Sequence, residues 1–164
     1  MSCCSLTTWL RTRPFRWLKK TTRFFRRPWL EKRLFLEAVA WLGFSRLMIK
    51  TVPFRRIAPM LGRTMVETPS HQSTKTDLPS RIAWAVRTAS RYTPWESKCL
   101  AQAMAARMML KRRRFSSTIY LGVLKDDQEG MKAHAWIRYG EQILTGAQGH
   151  RQFTVVATFG DNSG

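Results

Sequence analysis

Trp95-Glu96-Ser97-Lys98-Cys99-Leu100-Ala101-Gln102-Ala103-Met104-Ala105-Ala106-Arg107-Met108-Met109-Leu110 is the stretch on which the fold turns. From Cys99 onward it is an apolar, alanine-rich helical run, and the cysteine opens it. A thiol at the start of a helix feels the positive end of the macrodipole, a setting that favours thiolate over thiol. Thirty-five residues later Ala133-His134-Ala135-Trp136 reads as a strand carrying an imidazole. A thiol and an imidazole on adjacent elements are the two halves of a nucleophile and base pair.

Working outward, Thr93-Pro94-Trp95-Glu96 has the form of a capping box, with threonine as cap and the glutamate bonding back. Ser97 is the alternative cap, which would put Cys99 in the first turn. Lys111-Arg112-Arg113-Arg114 ends the run, placing cations at the negative end of the helix. Beyond it, 117–124 is rich in strand formers, and Asp126-Asp127-Gln128-Glu129-Gly130 turns the chain into 132–139. Gly140-Glu141 predicts a hairpin into 142–145, and 153–159 a last strand before the polar tail 160–164. On a strand side chains alternate, so His134 and Trp136 face one way, Ala133, Ala135 and Ile137 the other. The small alanines allow a neighbouring element to come close. Helices first and a mostly antiparallel sheet afterwards define an α+β fold with the Cys99 helix packed on the sheet.

Upstream, Leu30, Leu34, Phe35, Ala38, Val39 and Leu42 recur at helical steps and predict a stripe that docks on something. Pro53 ends that element, and 54–61 reads as a further short helix. From 64 to 77 the chain is polar and aperiodic, a linker by composition. Leu78-Pro79-Ser80 then leads into an amphipathic helix with Ile82, Ala85, Val86 and Ala89 on one face. Four regions result: a basic, aromatic segment 1–28, a helical region 29–63, the linker 64–77 and a core domain 78–164.

With 164 residues, 44% of them hydrophobic, the chain is long enough for one compact domain with an appendage. Its 29 Lys and Arg against 10 Asp and Glu give a net charge of +19, which attracts anionic lipid, phosphate polymers or acidic protein surfaces. In 1–28 basic residues alternate with Trp and Phe, as suits a solvated helix, a membrane surface or an acidic partner such as a leader peptide. Helix-turn-helix, zinc-finger and aromatic-sheet signatures are all missing, so nucleic acid is not expected as a partner. Cys3, Cys4 and Cys99 offer no disulfide framework, and with neither a signal pattern nor a spanning run the expected place is the reducing cytoplasm. The spacing of Cys99 and His134 with His71 or His150 matches no zinc pattern, so no metal and no cofactor is expected.

Trp95-Glu96-Ser97-Lys98-Cys99-Leu100, the strand Tyr120-Leu121-Gly122-Val123 and Ala133-His134-Ala135-Trp136-Ile137 together resemble the stand-alone leader peptidases of lasso-peptide biosynthesis, the B proteins of those clusters. The 30–42 stripe, Pro53-Phe54-Arg55-Arg56 and the helix from Arg81 extend the likeness over nearly all the chain after Trp29. The resemblance implies a transglutaminase-like (papain-like) cysteine peptidase core preceded by an N-terminal helical segment. It also implies cleavage of a leader from a ribosomally made precursor peptide. Cys99 would be the nucleophile and His134 the general base and acid, with a donor near the helix start, such as the Cys99 backbone N–H, stabilising the oxyanion. The implied partners are the precursor, a small leader-binding protein and an ATP-dependent cyclase.

The chain departs from that pattern at one point. Many relatives place an aspartate on the strand after the histidine, and here Gln142-Ile143-Leu144-Thr145-Gly146 holds no carboxylate. Thr145 is the candidate orienter of His134 in its place, with Gln148 and the more distant Asp161 as alternatives. A non-catalytic peptide-binding or basic surface-binding protein on the same fold is the competing expectation, and transfer of the acyl group to an amine is a variant of the enzymatic one.

Overall fold

The computed structural model describes residues 28–70, 76–95, 98–126 and 130–161. These form a helical layer on one face of a five-stranded sheet. The helices are α1 (Trp29–Thr51), α2 (Phe54–Leu61), α3 (Leu78–Tyr92) and α4 (Cys99–Lys111). The strands are β1 (Arg63–Thr64), β2 (Thr118–Asp126), β3 (Gly130–Tyr139), β4 (Gln142–Thr145) and β5 (Thr154–Gly160), and a short 3₁₀ turn, His150–Gln152, precedes β5. Spatial order is β1-β5-β2-β3-β4, every neighbouring pair antiparallel. The α+β architecture with the cysteine helix on the sheet is therefore present.

One core joins the two layers. Leu34, Ala38 and Leu42 of α1 are fully buried, as the stripe required, whereas Leu30 remains exposed. They meet Ile82, Ala85, Val86 and Ala89 of α3 and an α4 that is buried nearly all round, because its alanines let it lie between α1 and the sheet. The sheet contributes Ile119, Ala135, Ile137, Tyr139, Leu144 and Phe159 to the same cluster. The 29–63 region thus packs directly on the core domain. Part of the polar stretch is also built in: Thr64 pairs with Phe159, Met65 N donates to Thr158 O, and buried Thr68 is hydrogen-bonded through its N and Oγ1 to Thr118 Oγ1.

Two features of α4 depart from the sequence reading. Thr93 does not cap it: Thr93 is the C-cap of α3, its N bonded to Ala89 O and its hydroxyl donating to Ser90 O and Trp95 O. Glu96 and Ser97 lie outside the described residues, as do 1–27. The N-cap position falls on Lys98, without a side-chain cap bond. At the other end the cations do close the helix, and more: Arg113 forks onto Glu37 of α1 at 2.6 and 3.2 Å while donating to Met109 O. Burial opposes ionisation of Glu37, but the bond and charge of Arg113 and the charge of Arg112 outweigh it and hold the carboxyl below its ordinary range.

Candidate active site

Cys99 is the first residue of α4, half-buried against the core. The loop before it is anchored by Trp95, whose ring lies so close to Gly43 of α1 that a methyl there would come within 3.3 Å. Because 112–117 reverses the chain, α4 runs antiparallel to β2. Arg107 fixes its position lengthwise, with Nη1 donating to Ser117 O and Phe159 O. Eight residues along the helix from Arg107, about 12 Å, Cys99 opens an α4 that packs against β3 and β4.

β4 pairs with β3 at Ile137, Arg138 and Tyr139, and the chain beyond it closes through Gly146 on Ala135 and Trp136. Alternation turns Ala135, Ile137 and Tyr139 towards the helices and His134, Trp136 and Arg138 to the outer face. There the imidazole sits among rings, its centroid 5.0 Å from Phe153 and 5.9 Å from Trp136, and Trp136 stacks on Tyr120 at 5.6 Å. Gly122, opposite His134, leaves room for this packing: a side chain there would collide with Trp136 and Phe153. The helix that opens with the thiol packs on one face of β3, and the imidazole stands on the other. Among the described residues no hydrogen bond joins them.

His134 Nε2 lies 2.9 Å from Gly146 O. A carbonyl only accepts, so this bond places a proton on Nε2 and, in the neutral ring, leaves the lone pair on Nδ1. The expected orienter, Thr145, makes no such bond. It pairs with Ile137, is buried, and its Oγ1 has no protein partner. The chain reaches His134 one residue later, at Gly146, whose φ of 75° and close approach to Ala135 and Trp136 suit glycine alone. Asp161 is also committed elsewhere: its carboxylate holds the fully buried Arg107 at 2.7 Å. Gln148 is exposed. His150 stands on the far side of Trp136, its Nδ1 at 2.6 Å from Ala147 O, and His71 lies outside the described residues. Among the described residues no three His, Cys, Asp or Glu side chains are grouped to hold a metal ion, and no helix is long and apolar enough to cross a membrane.

Sequence reading missed Gly146, Phe153 and Arg107. The first carried a signal, a glycine directly after a strand; an arginine inside an apolar helix gave a weaker one.

A helix opened by cysteine and packed on an antiparallel sheet that carries a histidine is an α+β arrangement of the transglutaminase-like kind. The chain belongs to the transglutaminase-like superfamily, whose family model matches residues 48–158. No curated protein and no solved structure matches the chain.

Proposed function

We propose that the protein is a cysteine peptidase that removes the leader from a ribosomally made precursor during lasso-peptide maturation. The observation that carries this reading is a cysteine that opens a helix packed on the sheet whose strand β3 holds a histidine, its ring hydrogen-bonded to the Gly146 carbonyl. Superfamily membership supports the chemistry, and the motifs around Cys99 and His134 support the finer reading.

In the proposed reaction the substrate binds between the start of α4 and β3. His134 Nδ1 takes the Cys99 proton, the sulfur attacks the scissile carbonyl carbon, and the oxyanion is received by backbone N–H groups in the first turn of α4. The imidazolium returns its proton to the leaving amine, and water, deprotonated in turn by His134, cleaves the thioester. Gly146 O replaces the family carboxylate as orienter. It fixes ring and tautomer but offers an imidazolium a dipole in place of a charge. The reaction needs no metal. The leader-binding protein, the cyclase and a cytoplasmic setting belong to this reading through the resemblance.

One observation favours a second reading, a peptide-binding protein on the same fold: thiol and imidazole are not hydrogen-bonded, and the helix that opens with the thiol packs on the face of β3 opposite the imidazole. Catalytic bonds often tighten only with substrate, so cleavage decides. With the precursor encoded beside this gene, Cys99→Ala and His134→Ala are expected to abolish product formation in folded protein. Undiminished cleavage by either variant refutes the peptidase. Iodoacetamide separates the two readings independently: the peptidase predicts alkylation of Cys99 near neutral pH faster than of a free thiol, the binding protein a protected one.

A further inference from the structure

Helix α1 is apolar on two opposite faces. Its inner face, Leu34, Ala38, Leu42 and Ser45, is buried. Its exposed positions read Trp29, Leu30, Arg33, Leu36, Ala40, Phe44, Leu47, Lys50 and Thr51, and they follow one another at mostly three- and four-residue steps along one side. Trp29, Leu36 and Leu47 are 73%, 65% and 59% exposed. A row of large apolar side chains about 27 Å long is far more than the scattered exposed leucine of an ordinary surface. Of the two acidic residues of the helix, Glu31 lies on the inner side, and Glu37, seven residues from both Leu30 and Phe44, borders the stripe but is taken by Arg113. The sequence leading into α1 through residue 28 carries eight Lys and Arg and no Asp or Glu.

We infer that the outer face of α1 is a docking surface for an anionic membrane, with the helix lying in the interfacial plane. The combination required is an apolar stripe that enters the acyl boundary, flanking cations for lipid phosphates and no carboxylate beside it that is not already neutralised, as Glu37 is by Arg112 and Arg113. Arg33 and Lys50 lie on the stripe and the basic run leads directly into it. Trp29 sits at the junction, as aromatic residues do at lipid interfaces. A second copy is the poorer occupant, because two chains of +19 repel each other. The stripe lies opposite the buried face of α1, so docking leaves the His134 face of the sheet free. The inference does not depend on the peptidase reading.

The test uses the full chain with vesicles of three parts phosphatidylcholine to one part phosphatidylglycerol, followed by co-sedimentation at physiological salt. Leu36→Ser with Leu47→Ser removes apolar area at exposed positions, with circular dichroism and thermal unfolding checking that the fold is kept. The inference expects the folded wild type to sediment with anionic vesicles, and the partition coefficient to fall about tenfold for each serine. Three results overturn it: no partitioning of the wild type, equal partitioning to pure phosphatidylcholine, or partitioning undiminished in the double variant. It is also overturned if sedimentation equilibrium without lipid shows a dimer that the serines abolish, since the stripe is then an interface between copies.

Discussion

Asp161→Ala tests whether this carboxylate belongs to the scaffold or to the site. The Arg107 side chain is 0% exposed and that of Asp161 19%. Burial pulls the guanidinium below its usual range and Asp161 pulls it back up, so the arginine stays charged at neutral pH. The alanine variant leaves a buried cation held by Ser117 O and Phe159 O alone. Removing one partner of a fully buried pair costs about 3–5 kcal/mol. Asp161 keeps some contact with solvent, which lowers the expectation to about 2–3 kcal/mol. For a chain of this size that is roughly 5–10 °C in Tm. Urea and thermal unfolding measure it, and a double-mutant cycle with Arg107→Met is expected to show most of the loss as coupling between the two sites. Because Arg107 is about 12 Å along α4 from Cys99, cleavage by the folded fraction well below Tm is expected to persist. Stability within about 0.5 kcal/mol of wild type refutes the structural role, and lost cleavage in fully folded protein returns Asp161 to the catalytic site.

Three further outcomes follow from the geometry. Gly146→Ala forces a side chain into a left-handed position facing the Ala135 carbonyl; it is expected to cost about 1–2 kcal/mol from backbone strain alone, and cleavage in the folded protein falls about 100-fold as the ring support shifts. Thr145→Val removes a buried hydroxyl that has no protein partner, so unfolding free energy is expected to rise by about 1 kcal/mol with cleavage unchanged; a loss of cleavage would make Thr145 the orienter after all. Glu37 has a lower pKa folded than unfolded, so its contribution is complete above the unfolded carboxylate range and disappears as pH falls through the folded value. Glu37→Gln is expected to cost about 1 kcal/mol at neutral pH and to flatten the acid limb of stability against pH, read by urea unfolding in a pH series.

The sheet was legible because its strands are short, β-rich and separated by turn residues, and the hairpins from Gly130 and at Gly140-Glu141 fall where local chemistry puts them. The α1 stripe was legible for the same reason, an apolar period against a polar background. What escaped is long-range. Arg63 and Thr64 become an edge strand only because β5 passes beside them, 97 residues away by the pairing of Arg63 with Gly160. Thr93 has equally good grounds to end α3 as to begin α4, and the tertiary position of Trp95 against Gly43 decides between them. Periodicity is blind to such choices, since both alternatives keep the same local pattern.

The site shows the same division. The alternation rule separated His134 from Ala135 and Ile137 correctly, but it could not say which face the helices would cover; the wide apolar surface of Ile119, Ala135, Ile137 and Phe159 decided that against His134. A search for side-chain carboxylates then overlooked the orienter, because it is a backbone atom. Any residue supplies a carbonyl, and only the φ of 75° at Gly146 and the bulge of β4 against β3 aim this one at the ring. A main-chain orienter has a consequence that a carboxylate lacks. It cannot be deleted by changing a side chain, only displaced, so the functional sensitivity of this stretch should concentrate at glycine 146 and not at the polar residue beside it. The contrasting behaviour expected of Gly146→Ala and Thr145→Val is therefore a direct measure of whether His134 is held by the fold itself.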